Sequence, residues 1–188
     1  MKDFMNNNYG PSKLLINDLI VNYQNKNFTK TKNIAEKITK SYPDYFLAWK
    51  ILGFLLLQEN KINESIASLS NATKLDPKDY ETYNNLGRAY LATGKLNDAE
   101  IAFIQSTSLK SDYFPAQYNL AMTYGKLGKL VEAEEIFKIV IKLNPNHAEA
   151  YYYLGNILVK LNKPDKAEKA YLNAIKIKPD YSICFNNL

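Results

Sequence analysis

The chain has 188 residues, 46% hydrophobic and 23% charged, with a formal net charge of +5. This globular composition excludes collagen-like, low-complexity and wholly disordered classes. One cysteine and one histidine exclude a disulfide scaffold, a thiolate zinc cluster and most histidine-based metal or acid–base sites.

The positive charge is carried almost wholly by lysine, since Arg88 is the single arginine among 24 basic residues. The lysines are spread along the chain, without the arginine-rich clusters of phosphate and base readers, so no nucleic-acid partner is expected. No run approaches 18 consecutive apolar residues, so no membrane span or membrane partner is expected. The start, MKDFMNNNYGPSKLL, has no apolar stretch of the secretory type, and a cytoplasmic location is the expectation. Residues 1–11 are expected to be disordered or poorly ordered.

Beyond them the chain repeats itself. The pairs Asp76-Pro77, Lys110-Ser111, Asn144-Pro145 and Lys178-Pro179 recur every 34 residues, and Pro43 lies one step earlier. Leu52, Leu86, Leu120, Leu154 and Leu188 form a column at the same step. Gly53, Gly87, Ala121 and Gly155 form the next, Ser65, Ala99, Ala133 and Ala167 a third, and Leu69, Phe103, Phe137 and Tyr171 a fourth. Breaker pairs fall between them at Asn60-Lys61, Gly94-Lys95, Gly128-Lys129 and Asn162-Lys163.

Each unit resolves into two helices. Tyr83, Leu86, Gly87 and Tyr90 fall at i, i+3, i+4 and i+7, one face of a helix, and Gly94-Lys95 breaks it. Asn97 or Asp98 is expected to cap the second helix, whose apolar face runs through Ala99, Phe103 and Leu109. Proline ends that helix, because its ring cannot occupy a helix interior. Helices are therefore expected near 11–24, 28–40, 46–59, 63–75, 80–93, 97–109, 114–127, 131–143, 148–161 and 165–177. The small columns allow each helix pair to approach closely.

The series Trp49, Leu52-Gly53, Ser65, Leu69, Ala72, Pro77 and its successors resembles the tetratricopeptide repeat (TPR), a 34-residue helix–turn–helix. The resemblance covers about residues 12–188 and implies an all-α, right-handed solenoid of antiparallel helix pairs. Residues 12–45 form a degenerate first repeat, with Asp18 and Leu19 where Leu-Gly is usual. Full repeats follow at 46–79, 80–113, 114–147 and 148–181, and 182–188 begins a further one. That unfinished repeat, with Phe185 and Leu188, suggests a fragment of a longer protein and weak end-to-end self-association through an open apolar face.

The resemblance implies a concave groove lined by the first helix of each unit, binding a protein or peptide partner. The candidate groove residues are Lys50 and Phe54, then Asn84, Asn85 and Arg88. Tyr118, Asn119 and Met122 follow, then Tyr152 and Asn156, and finally Asn187. Asn85, Asn119 and Asn187 share a column, and an Asn carboxamide can donate to a peptide carbonyl while accepting from its N–H. The family's grip on a chaperone carboxylate is not expected. Lys50 and Asn85 fit that pattern, but Phe54, Pro115 and Asn119 do not.

No phosphate-binding, dinucleotide-binding or nucleophile-elbow motif is present. His147 falls in a turn and is expected to be a solvated loop residue, and Cys184 to be a small apolar filler. No catalytic residue, metal or cofactor is assigned. Two functions stay open: a free-standing interaction module, or the N-terminal recruiting arm of an enzyme. The second rests on resemblance to bacterial TPR arrays that precede glycosyl-, sulfo- or methyltransferase domains. The helix pairing itself predicts that Ala99→Leu costs about 1–3 kcal/mol by overpacking; an unchanged thermal unfolding curve would contradict the pairing.

Overall fold

The computed structural model describes residues 10–181. The expectations for residues 1–9 and for 182–188, including Cys184, Phe185, Asn187 and Leu188, lie outside the described residues. The described residues form ten α-helices and no strand. They are α1 (Lys13–Gln24), α2 (Phe28–Ser41), α3 (Phe46–Gln58), α4 (Ile62–Leu75) and α5 (Tyr80–Ala92). Then follow α6 (Leu96–Leu109), α7 (Phe114–Leu127), α8 (Leu130–Leu143), α9 (Ala148–Lys160) and α10 (Pro164–Ile177). Two compact units divide the chain, Met1–Thr82 and Tyr83–Leu188.

The turn inside each pair has one backbone form throughout. Lys26, Asn60, Gly94, Gly128 and Asn162 all have positive φ, between 56° and 77°. They stand one repeat apart, so the left-handed residue is part of the period. The next residue's N–H reaches back across each turn: Asn27 to the Asn22 carbonyl, Lys61 to Leu56, Lys95 to Tyr90, Lys129 to Tyr124 and Lys163 to Leu158. These bonds, 2.9–3.0 Å long, satisfy carbonyls that a helix end would otherwise leave without a donor. Glycine adopts this conformation freely and asparagine tolerates it, which explains the breaker residues seen in the sequence.

The second helix begins earlier than its polar residues suggest. In α6 the N-cap is Lys95, without a side-chain capping bond, and Asp98 lies in the first turn. Neither Asn97 nor Asp98 caps it. The left-handed residue turns the chain so sharply that helical bonding resumes at once, Ala99 N–H donating to the Lys95 carbonyl at 3.0 Å.

Packing within a pair depends on the small column. A Cβ on Gly53 would lie 2.6 Å from the Leu69 side chain, and one on Gly87 would lie 2.6 Å from the Phe103 ring. On Gly155 it would strike Tyr171. Leu69, Phe103, Phe137 and Tyr171 are almost wholly buried, each lodged against the first helix of its pair. Ser65 occupies the column held elsewhere by buried alanines, and its hydroxyl donates to the Gly53 carbonyl at 2.7 Å. Trp49 donates its indole N–H to the Pro43 carbonyl at 2.7 Å. One unit length further than Tyr83, Gln117 stands in the same column as Trp49 and donates to the Ser111 carbonyl at 2.8 Å.

Within Met1–Thr82 the core gathers Leu19, Ile34, Ile38, Leu52 and Leu55. In the other unit one cluster joins Phe137, Val140, Leu154, Leu158 and Tyr171, and another joins Ala99, Phe103 and Leu120. Successive pairs in this unit are also tied by charge. Lys129 meets Glu100 at 2.6 Å, and Lys163 meets Glu134 at 2.6 Å, the same link one repeat later. Glu134 also receives Lys138 at 2.7 Å.

Among the described residues Lys26 is the one left-handed residue that is neither glycine nor asparagine. Lys26→Gly should therefore raise stability by about 0.5–1 kcal/mol, the relief of left-handed strain exceeding the added chain entropy. A lowered urea midpoint would refute this. Hydrogen bonds from Lys138 and Lys163 hold the Glu134 carboxyl below the ordinary glutamate range. A depressed folded pKa means stability that is present above the unfolded carboxyl pKa and is lost as pH falls through the folded value. Unfolding temperature should thus fall on acidification below the ordinary glutamate range, and Glu134→Gln should flatten that fall.

Candidate functional site

The first helix of each pair buries its leucine–glycine face and leaves another face for contact. In Met1–Thr82 that face, on α3, carries Lys50 and Phe54. The Lys50 ammonium lies 2.7 Å from Asp79 and 2.6 Å from Glu81. Burial opposes its charge, but the hydrogen bonds it donates to Asp79 and Glu81 outweigh that and hold its pKa above the usual lysine value. A ligand carboxylate would have to compete with two acids already in place. Phe54 is half-buried and meets Tyr23 edge-on, with ring centroids 6.0 Å apart.

Asp79 also organises the start of α5. It accepts from the Glu81 N–H at 3.2 Å and the Thr82 hydroxyl at 3.0 Å. Two repeats later His147 performs the corresponding task for α9, its Nδ1 accepting from the Ala150 N–H at 3.2 Å. His147 is half-buried, with its ring 5.0 Å from Phe114 and 5.1 Å from Tyr118. It is a helix cap inside an aromatic cluster, not a solvated loop residue. The signal in the sequence was its position, one repeat column with the capping Asp79.

In Tyr83–Leu188 the candidate residues fall into two groups. Asn84 is buried and accepts a 3.0 Å hydrogen bond from the Asn119 amide. That bond links α5 to α7 and joins two candidates from adjacent columns. Asn85, the column-mate of Asn119, instead accepts from Arg88 at 3.3 Å on an exposed part of α5. The sequence column therefore aligns Asn85 with Asn119, whereas the direct amide contact is between Asn84 and Asn119.

The second group is aromatic. Tyr118 stacks on Phe114 with planes 13° apart and meets Phe137 and Tyr153 edge-on. Tyr152 meets Tyr153 and Tyr181 edge-on, at 5.2 and 5.4 Å. Edge-to-face pairs of this kind add about 0.5–1.5 kcal/mol each beyond their buried area. Burial, with Tyr153 and Glu149 nearby, pushes the Tyr118 hydroxyl well above the ordinary phenol value. Asn156 accepts the Tyr171 hydroxyl at 2.8 Å. Met122 is half-buried and packs at the edge of the same core.

This face supplies amide and phenol hydrogen bonds together with ring area. No group of three metal-ligating side chains comes together among the described residues. None of their helices is long and apolar enough to cross a membrane.

Comparison with known proteins agrees with this geometry. Tetratricopeptide repeat models match residues 118–182 and 80–113, and a TPR repeat model matches residues 53–94. No curated protein matches the chain. Among solved structures, YrrB, a TPR protein with an unusual peptide-binding site, is 18% identical with a TM-score of 0.85. The match covers 94% of this chain and 91% of YrrB. A MamA structure is 22% identical with a TM-score of 0.80, over 90% of this chain and 93% of that one. MamA from Desulfovibrio magneticus RS-1 is 14% identical with a TM-score of 0.80, over 90% and 96%. At these identities the likeness is one of fold. The matched repeats and the helix pairs they describe make this chain a tetratricopeptide repeat protein.

Proposed function

We propose that the chain is a protein-interaction module that holds an extended segment of a partner against the first-helix face. The observation that carries this reading is the Asn84–Asn119 amide link beside the wall of Tyr118, Tyr152 and Tyr153. Amides on such a face bond a peptide backbone whatever its side chains, and half-buried rings receive the apolar side chains between. The peptide-binding site named for YrrB, whose fold this chain shares, supports the same use of the repeat.

Magnitudes decide how the work is divided. Hydrogen bonds from Asn85, Asn119 and Asn156 would contribute about 0.5–1.5 kcal/mol each. A micromolar complex needs about 8 kcal/mol. The amides therefore set direction and register, and the tyrosines and Met122 supply the greater part of the affinity.

The test begins with peptides selected on the wild-type chain from a displayed random library. Their affinity for an Asn85→Ala/Asn119→Ala variant, folded by circular dichroism, should be about tenfold weaker or more, two net hydrogen bonds having been lost. Unchanged affinity would remove the amides from the reading.

A further inference from the structure

Outside the first-helix face, α8, α9 and α10 line an open pocket of about 320 Å³. Its floor is apolar: Tyr151, Leu154 and Leu158 from α9, with Ala170 from α10. Lys138, Lys166 and Lys169 stand at its rim. The volume lies at the low end for ligand pockets, about 300–1,000 Å³, and suits a bulky side chain or two better than a large cofactor.

One carboxylate of the chain itself lies in the lining. Glu134, part of its lining, is held by Lys138 at 2.7 Å and Lys163 at 2.6 Å. Those two cations are thereby engaged. Lys166 and Lys169 are exposed and have no ion-pair partner among the described residues. They stand three residues apart on α10, which places them side by side on one helix face.

A second pocket separates what the repeat dictates from what this site adds. It has about 370 Å³ and is lined by the residues two repeats earlier. The floor is reproduced there by Tyr83, Leu86, Tyr90 and Ala102. The positions of Lys166 and Lys169 are taken by Asp98 and Ile101. An apolar hollow is thus a by-product of the helix pairing, whereas the paired free cations belong to the α8–α10 pocket alone of the two.

We propose that this pocket is a second docking site, taking an acidic segment of a partner protein that inserts an apolar side chain against Leu154 and Leu158 and pairs its carboxylates with Lys166 and Lys169. Charge complementarity selects that occupant over a second copy of this chain, whose net charge is +5. The site is separate from the Asn84–Asn119 face and does not depend on it.

The test uses the full chain and fluorescein-labelled peptides read by anisotropy. Glu-Asp-Leu-Phe-Asp-Glu should bind saturably, and Lys-Lys-Leu-Phe-Lys-Lys should not. In Lys166→Glu/Lys169→Glu the acidic peptide should lose about tenfold or more in affinity. Both lysines are exposed, and a glutamate in the first turn of α10 suits the helix dipole, so this variant keeps its fold. Asn85→Ala/Asn119→Ala should bind the acidic peptide as the wild type does. Equal binding of both peptides, or unchanged affinity in the lysine variant, would overturn the proposal. So would equal binding of Glu-Asp-Ser-Gly-Asp-Glu, which has charge but nothing to fill the pocket. Displacement of the acidic peptide by phosphatidylglycerol–phosphatidylcholine vesicles would instead assign the cations to a lipid surface, and would overturn it too.

Discussion

The structure depends first on a single backbone event, a left-handed residue at the turn of every helix pair. Lys26, Asn60, Gly94, Gly128 and Asn162 share it, and each is followed by an N–H that bonds back to the last turn of the helix before. With the turn so short, the second helix has no freedom to choose its distance or direction. It must return antiparallel along the first. The residue types at the turn follow from this, because glycine avoids and asparagine reduces the steric cost of positive φ.

A return path that close requires one helix to yield space. Gly53, Gly87 and Gly155 do so, and Leu69, Phe103 and Tyr171 fill the room against the bare backbone. In the second such contact of the unit 83–188, Ala121 takes the glycine's column and Phe137 is still buried, so the seat accepts one methyl group when the neighbours differ. The seating ring fixes the rotation of the first helix about its own axis. With Leu86 and Gly87 turned inward, Asn85 and Arg88 must face outward, as Tyr118, Met122 and Tyr152 must turn to the same side in later pairs. The candidate face is therefore a consequence of the core, not a separate design.

Much of this was legible in the sequence because it is periodic. The turn residues, the small column, the large column opposite and the helix limits to within a residue or two all recur at one interval. What escaped were contacts between side chains on different pairs. Lys129 meets Glu100 and Lys163 meets Glu134, repeating in step, but partners 29 residues apart on different helices leave no local charge pattern to read. Asn119 shares a column with Asn85 but bonds Asn84, because the choice between neighbouring columns depends on rotamers and on the spacing of pairs, which periodicity does not encode. Asn97 and Asp98 have the chemistry of helix caps, but the turn geometry started α6 before them. His147 was misjudged because its isolation in composition hid its column with Asp79, another helix-capping residue.

The same logic explains where specificity can arise in such a chain. Positions committed to the turn and the seat are nearly interchangeable between repeats, so they distinguish no ligand. Positions outside that commitment vary freely, and each repeat places its own chemistry at the same point in space relative to its helices. Lys50, Asn84, Tyr118 and Tyr152 occupy one such position in successive repeats, and they have little in common as side chains. Lys169 and Ile101 occupy another. A partner that recognised the shared elements would bind any repeat weakly. One that recognises an amide pair here, a tyrosine wall there and two free cations elsewhere gains its affinity from the differences, which is where selection on a repeated scaffold can act without disturbing the fold.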